Sequence, residues 1–144
     1  MGCAFCNETS IQARTILKNA QAFVFPTNIP IVPGHVLIVP TRHVATMDEL
    51  TPAEWQAIHV IMKKMKAALR KAFQAEGFNY AMNEGSVAGQ SVPHLHIHLL
   101  PRKTGDSGIT EYEPRQFLYR PGSRKTSPDA ELNVVTKIIR AALK

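Results

Sequence analysis

The sequence predicts an α+β fold built around an antiparallel sheet. Two observations carry that prediction. Strand-like and helix-like segments follow the order strand–strand–helix–strand–strand, without the regular strand–helix alternation of a parallel sheet. A second helical pattern closes the chain after a long polar stretch. The 144 residues suit one domain, residues 1–144, with its core at about 3–106 and an irregular segment plus a helix over 107–144.

The elements follow in order. Ala22-Phe23-Val24-Phe25 and Val36-Leu37-Ile38-Val39 are short runs rich in aromatic and β-branched residues. Pro26, Pro30, Pro33 and Gly34 punctuate the link, so the pair reads as a hairpin or meander. Thr51-Pro52-Ala53-Glu54 opens a helix: Thr51 caps the first amides, Pro52 suits the first turn and Glu54 completes a capping box. Trp55, Ile58, Met62, Met65, Leu69 and Phe73 then make one apolar stripe, and Gly77 is the expected stop. His59, beside that stripe, reads as a core or boundary residue. Phe78–Met82 is the third strand. A loop holding Gly85, Ser86, Gly89 and Ser91 leads into a fourth strand that Pro101 ends. Residues 103–127 are polar and read as irregular. Ser127-Pro128-Asp129 starts the last helix, with Leu132, Val135, Ile139 and Leu143 on one face.

Composition excludes several classes. No apolar run approaches the roughly 20 residues that a membrane span needs. The start, Met1-Gly2-Cys3-Ala4-Phe5-Cys6, lacks the charged and apolar regions of a secretory signal, so a cytoplasmic location is expected. The net charge of +6 serves solubility or draws an anionic ligand. Lys63, Lys64, Lys66, Arg70 and Lys71 lack the interleaved aromatics of a nucleic-acid platform, so no nucleic-acid partner is expected.

The chemistry concentrates in His94-Leu95-His96-Ile97-His98-Leu99-Leu100. On an extended strand the three histidines share one face and the alternate aliphatic residues the other. Three imidazoles at period two offer metal ligands, or a catalytic histidine with helpers. Upstream, Asn83, Ser86, Gly89, Gln90 and Ser91 surround a glycine-containing loop able to cradle an anion. An imidazole beside such a cradle favours nucleophilic attack on phosphorus.

Gly89-Gln90-Ser91-Val92-Pro93-His94-Leu95-His96-Ile97-His98-Leu99-Leu100-Pro101-Arg102 resembles the signature of the histidine triad family, and Pro33-Gly34-His35-Val36-Leu37-Ile38-Val39-Pro40 is similar to its other recurring segment. The continuation Arg102-Lys103-Thr104-Gly105-Asp106 resembles the fragile-histidine-triad branch, whose members hydrolyse diadenosine polyphosphates. The resemblance implies a sheet of about five strands with one long central helix. It also implies a homodimer and a dinucleoside polyphosphate substrate carrying Mg2+.

It assigns roles as well. His96 is the implied nucleophile, forming a nucleotidyl-histidine intermediate. His98 is the implied phosphate or leaving-group partner, His94 the first histidine of the triad and His35 the residue that orients it. Asn83, Gly89, Gln90 and Ser91 would bind the oxyanions, and Phe5 would line the base pocket. Where the family usually carries Asp or Asn for the ribose, this chain has Thr27, followed by Asn28. The sibling branch leaves a nucleoside phosphoramidase as an alternative, transfer to phosphate is another, and a nucleotide-binding sensor a further one.

Cys3-Ala4-Phe5-Cys6 admits zinc, free thiols or redox chemistry. Several bacterial members pair such cysteines with two histidines, here His43 and His94. That would make a closed, structural Cys2His2 zinc site and split the triad between two jobs.

Overall fold

The computed structural model describes residues 2–106 and 126–144. Most of the segment expected to be irregular, residues 107–125, lies outside the described residues. The elements are α1 (Ala4–Asn7), α2 (Thr9–Ala13), β1 (Leu17–Lys18), β2 (Ala22–Pro26), β3 (Val36–Pro40), α3 (Pro52–Phe73), β4 (Gly77–Ala81), β5 (Ile97–Arg102) and α4 (Asp129–Ala142). The five strands form one antiparallel sheet in the order β1-β2-β3-β5-β4, which is the expected α+β class. No described helix is long and apolar enough to cross a membrane.

Register decides what each face carries. Val24 pairs with Ile38 and Ile38 with Ile97, so a row of aliphatic side chains crosses one face. Ala22, Val36 and Leu99 extend that row, and Ile58, Ile61, Met65 and Leu69 of α3 with Ile139 of α4 cover it. One residue out of phase, Phe25 pairs with Leu37, Leu37 with His98 and His98 with Ala81. Strand side chains alternate between faces, so these point the other way. There Phe25, Leu37 and Val39 meet Phe5 and Ile11 from the two short N-terminal helices. Those helices carry no periodicity long enough to be read from sequence.

The start of α3 is built as expected. Thr51 Oγ1 accepts from the Glu54 amide at 3.1 Å, and Glu54 Oε1 accepts from the Thr51 amide at 2.9 Å. The stop differs. The helix ends at Phe73, with Gln74 in the left-handed region at φ 54°, and Gly77 already belongs to β4. Gly77 pairs with Arg102 and the Glu76 amide donates to Arg102 O, so the chain must reverse before reaching the glycine.

Pro101 also differs, lying inside β5 rather than ending it. The β3–β5 pairing stops at Val36–Leu99, so the missing N–H of Pro101 costs no ladder bond. Gly34 packs there at φ +89°, and a Cβ on it would lie 2.9 Å from Pro101 Cγ.

Candidate functional site

β5 begins at Ile97, so the histidine comb is only partly a strand. His98 lies in the ladder, whereas His94 sits in a bend and His96 in the irregular approach to the strand. Pro93 has no amide to pair, and the Leu95 amide donates to Val44 O, beyond the end of β3. The approach therefore bends, and the three rings need not stay on one line. Leu95, Ile97 and Leu99 are buried, as the alternation predicts.

His96 is buried, and its Nδ1–H donates to His94 O at 2.8 Å. With the proton fixed on Nδ1, the neutral ring carries its lone pair on Nε2. Burial pushes its pKa below the ordinary histidine value, so the neutral form prevails at neutral pH.

His98 is set by a chain of two bonds. The Ile31 amide donates to His35 Nδ1 at 3.1 Å, which puts the proton of neutral His35 on Nε2. That proton points at His98 Nδ1, 2.9 Å away. His98 accepts there and so carries its own proton on Nε2. Its ring centre is 5.1 Å from that of His96. A lone pair and an N–H therefore stand on adjacent rings, an acceptor nitrogen beside a hydrogen-bond donor.

His94 turns elsewhere. Its Nε2–H donates to Pro40 O at 2.8 Å, leaving Nδ1 as an acceptor. Burial, with His43 and His96 nearby, lowers its pKa. His94 Nδ1 lies 3.4 Å from Cys3 Sγ, 3.5 Å from Cys6 Sγ and 3.3 Å from His43 Nδ1. Cys6 Sγ is 3.6 Å from His43 Nδ1. A tetrahedral zinc with standard bond lengths requires S···N separations of about 3.5 Å and N···N of about 3.3 Å. Two thiols and two imidazoles therefore stand where one ion of that kind would hold them, all four donors within 4.8 Å of one another. The carbonyl behind His94 fixes the tautomer, as is usual for a histidine that ligates metal.

Phe5 is buried between these two groups. Its ring centre is 5.2 Å from His96, 5.6 Å from His94 and 5.4 Å from Phe25, all edge-on. It also lines a cleft of about 720 Å³ with Phe23, Lys18 and Thr41.

The loop residues are placed less simply. Gln90 Oε1 accepts from the Gly85 amide, and its Nε2 donates to Ala45 O, so the side chain ties the loop to the segment that carries His43. The amides of Gly89 and Gln90 donate within the turn, to Ser86 O and Gly85 O. Ser91 is exposed and Asn83 half-buried. Val92 packs on the cluster around Phe5, which brings the end of the loop to the histidine face. Thr27 is buried, its hydroxyl accepting from the Ile29 amide at 3.3 Å. It lines a cavity of about 260 Å³ with His35, Ser127 and Glu131. Asn28 is exposed, and its carbonyl accepts from the Ser127 amide.

Sequence reasoning missed Arg42. Its guanidinium makes two bonds to the Glu54 carboxylate, at 3.0 and 2.8 Å, and one to Glu49 O. It thereby clamps the segment holding His43 to the start of α3. Its position next to His43, with a capping-box glutamate downstream, was the available signal. Arg14 was missed too: it is buried, with Nε donating to Pro26 O and its guanidinium 5.8 Å from the Phe25 ring centre.

Residues 8–105 match the family model described as HIT domain. The chain is 42% identical over 77 residues to an asymmetrical bis(5'-nucleosyl)-tetraphosphatase of Schizosaccharomyces pombe, covering 54% of this chain and 42% of that protein. It is 36% identical over 95 residues to a bis(5'-adenosyl)-triphosphatase of Dictyostelium discoideum, covering 66% and 64%. The chain thus spans about two fifths of one relative and under two thirds of the other. Its fold matches a crystal structure of a zinc-bound histidine triad family protein from Mycobacterium smegmatis with a TM-score of 0.73 at 24% identity, over 99% of this chain and 94% of that one. With the matched model spanning the triad segment and the sheet that carries it, the chain belongs to the HIT domain family.

Proposed function

We propose that the protein is a nucleotidyl hydrolase that cleaves dinucleoside polyphosphates at the α-phosphorus. The observation that carries the reading is the tautomer of His96: Nδ1–H is spent on His94 O, so Nε2 is left as a nucleophile in a buried site. The two relatives whose names describe such hydrolases support the substrate class.

In the first half-reaction His96 Nε2 forms a bond to the α-phosphorus. The bond from phosphorus to the bridging oxygen breaks, the remaining nucleotide leaves as its polyphosphate anion, and His98 Nε2–H steadies that oxygen by donating a hydrogen bond to it. In the second half, water attacks the phosphorus, the bond from phosphorus to His96 Nε2 breaks, one water proton passes to solvent, and a nucleoside monophosphate leaves with His98 Nε2–H still donating to a phosphate oxygen. His35 holds His98 in the tautomer that both halves need. Asn83 and Ser91, at the ends of the loop, are the proposed side-chain partners of the phosphate oxygens, with Gly89 and Gln90 shaping the turn. Thr27 and Asn28 are the proposed ribose neighbours. Mg2+ belongs to the polyphosphate substrate in this scheme.

For the ion at Cys3, Cys6, His43 and His94 the proposed identity is zinc, which such a donor set favours and which would lock the N-terminal segment to the sheet. A cytoplasmic homodimer is the proposed assembly.

The test is to incubate the protein with diadenosine triphosphate, diadenosine tetraphosphate and adenosine phosphoramidate, and to resolve products by chromatography. Release of AMP from a dinucleotide at rates well above the phosphoramidate supports the reading. Preference for the phosphoramidate makes the protein a phosphoramidase, and equal, slow rates on all three make it a nucleotide sensor.

A further inference from the structure

The chemistry above gives Phe5 no proton to move and no bond to make, yet its ring touches both the proposed nucleophile and a metal-site histidine. Its place in the chain matters. Cys3 and Cys6 bracket it across the single turn α1, which has no side-chain cap at its start. A helix of four residues does not hold itself in water. The segment is held instead by its thiols, aimed at His43 and His94, and by burial of Phe5 and Ile11 on Phe25, Leu37 and Val39. His94 is the joint between the two functions. Its ring faces the thiols, and its carbonyl accepts the Nδ1–H of His96.

We propose that the metal held by Cys3, Cys6, His43 and His94 positions the nucleophile, by fixing Phe5 edge-on against His96 and the His94 carbonyl against its Nδ1. Phe5 is then a positioning residue. Losing the ion frees the turn that carries the ring and loosens the residue whose carbonyl sets the His96 tautomer. The catalytic consequence rests on the function proposed above, but the ring contact is measurable without any substrate.

The experiment follows the His96 ring protons by NMR at one fixed pH, assigned by their absence in His96→Gln. Spectra are taken with Zn2+ bound, after EDTA, and after Zn2+ is restored, in wild type and in Phe5→Leu. Amide exchange in α3 reports that the fold persists, and Phe5→Met replaces Phe5→Leu if that variant does not fold. Removing the ion from wild type is expected to shift and broaden the His96 resonances, and Zn2+ to restore them. Phe5→Leu with Zn2+ bound is expected to show shifted resonances already, with a smaller further change on removal. Unmoved resonances in wild type, or equal changes in both proteins, overturn the proposal. In turnover, metal removal and Phe5→Leu should each lower kcat about 10- to 100-fold with little change in KM, as a misplaced nucleophile does. If no nucleotide is turned over but the resonances move as stated, the hydrolase reading fails and the positioning role stands. If turnover is found and the resonances stay fixed, the positioning role fails alone.

Discussion

The two faces of this sheet are held by different physics. Beneath α3 and α4 the face is aliphatic, with Val24, Ile38, Ile97 and Leu99 meeting Ile58, Met65, Leu69 and Ile139. Such packing is non-directional and rewards area, so many sequences of similar pattern would satisfy it. The other face carries Phe25, Leu37 and His98, covered by two short helices and a four-donor cluster. Here direction matters more than area: each imidazole has one nitrogen pinned to a named partner, which decides what the other can do. Stability and chemistry are thereby separated onto opposite faces of the sheet. Perturbations should therefore damage one without the other.

The largest expected effect lies on the histidine face. His96→Ala should lower dinucleotide turnover by four or more orders of magnitude, on the order seen when a covalent nucleophile is removed. His98→Ala should cost about 10²- to 10³-fold, the usual worth of one hydrogen-bond donor to developing charge. Both should still unfold cooperatively in urea with a slope close to wild type. Turnover by His96→Ala within tenfold of wild type would end the covalent reading.

Metal removal should break the same face structurally. Stripping the ion should expose the α1–α2 segment to amide exchange while α3 keeps its protection, since the apolar stripe of α3 packs on the opposite face. Exchange-detected mass spectrometry reads both at once. Uniform loss of protection would show that the two faces fold as one unit. On the aliphatic face, Leu69→Ala should cost about 2–5 kcal/mol of unfolding free energy in urea, the usual range for a buried leucine. It should leave kcat within about threefold.

The same contrast explains what the sequence revealed. The aliphatic face was legible because α3 announces itself through the Thr51–Glu54 box and a stripe of apolar residues at helical spacing. Where Gly77 misled, pairing with Arg102 overrode a local signal. On the histidine face, residue types were legible and their geometry was not. His94, His96 and His98 look equivalent at period two, but Pro93 and the Leu95–Val44 bond take the first two out of the ladder. Gln90 read as an anion donor because side-chain chemistry shows in sequence, whereas its partners Gly85 and Ala45 are fixed only by folding. Arg42 was overlooked for the same reason: its place beside His43 was legible, but the bond to a carboxylate one element away is fixed only by folding.

Arg42 and Glu54 provide the smallest and sharpest test, because they join the two faces. Glu54 belongs to the cap of α3, and Arg42 leads directly into His43. The Arg42 guanidinium, followed by the Thr51 amide, holds the Glu54 carboxyl at about 2, well below its ordinary 4.5. A depressed carboxylate stabilises the fold above its unfolded pKa, and that contribution fades as pH falls from about 4.5 toward 2. Glu54→Gln should therefore cost about 1–2 kcal/mol at pH 7, a typical value for a charge-assisted hydrogen bond. The gap between wild type and variant should close on acidification through that window, as read by urea unfolding. If Arg42 also steadies His43, Glu54→Gln should weaken Zn2+ retention in a chelator competition at pH 7, while Thr51→Ala, which damages the same cap without touching Arg42, should not. Equal Zn2+ retention in both variants would confine the pair to the helix and leave the two faces independent.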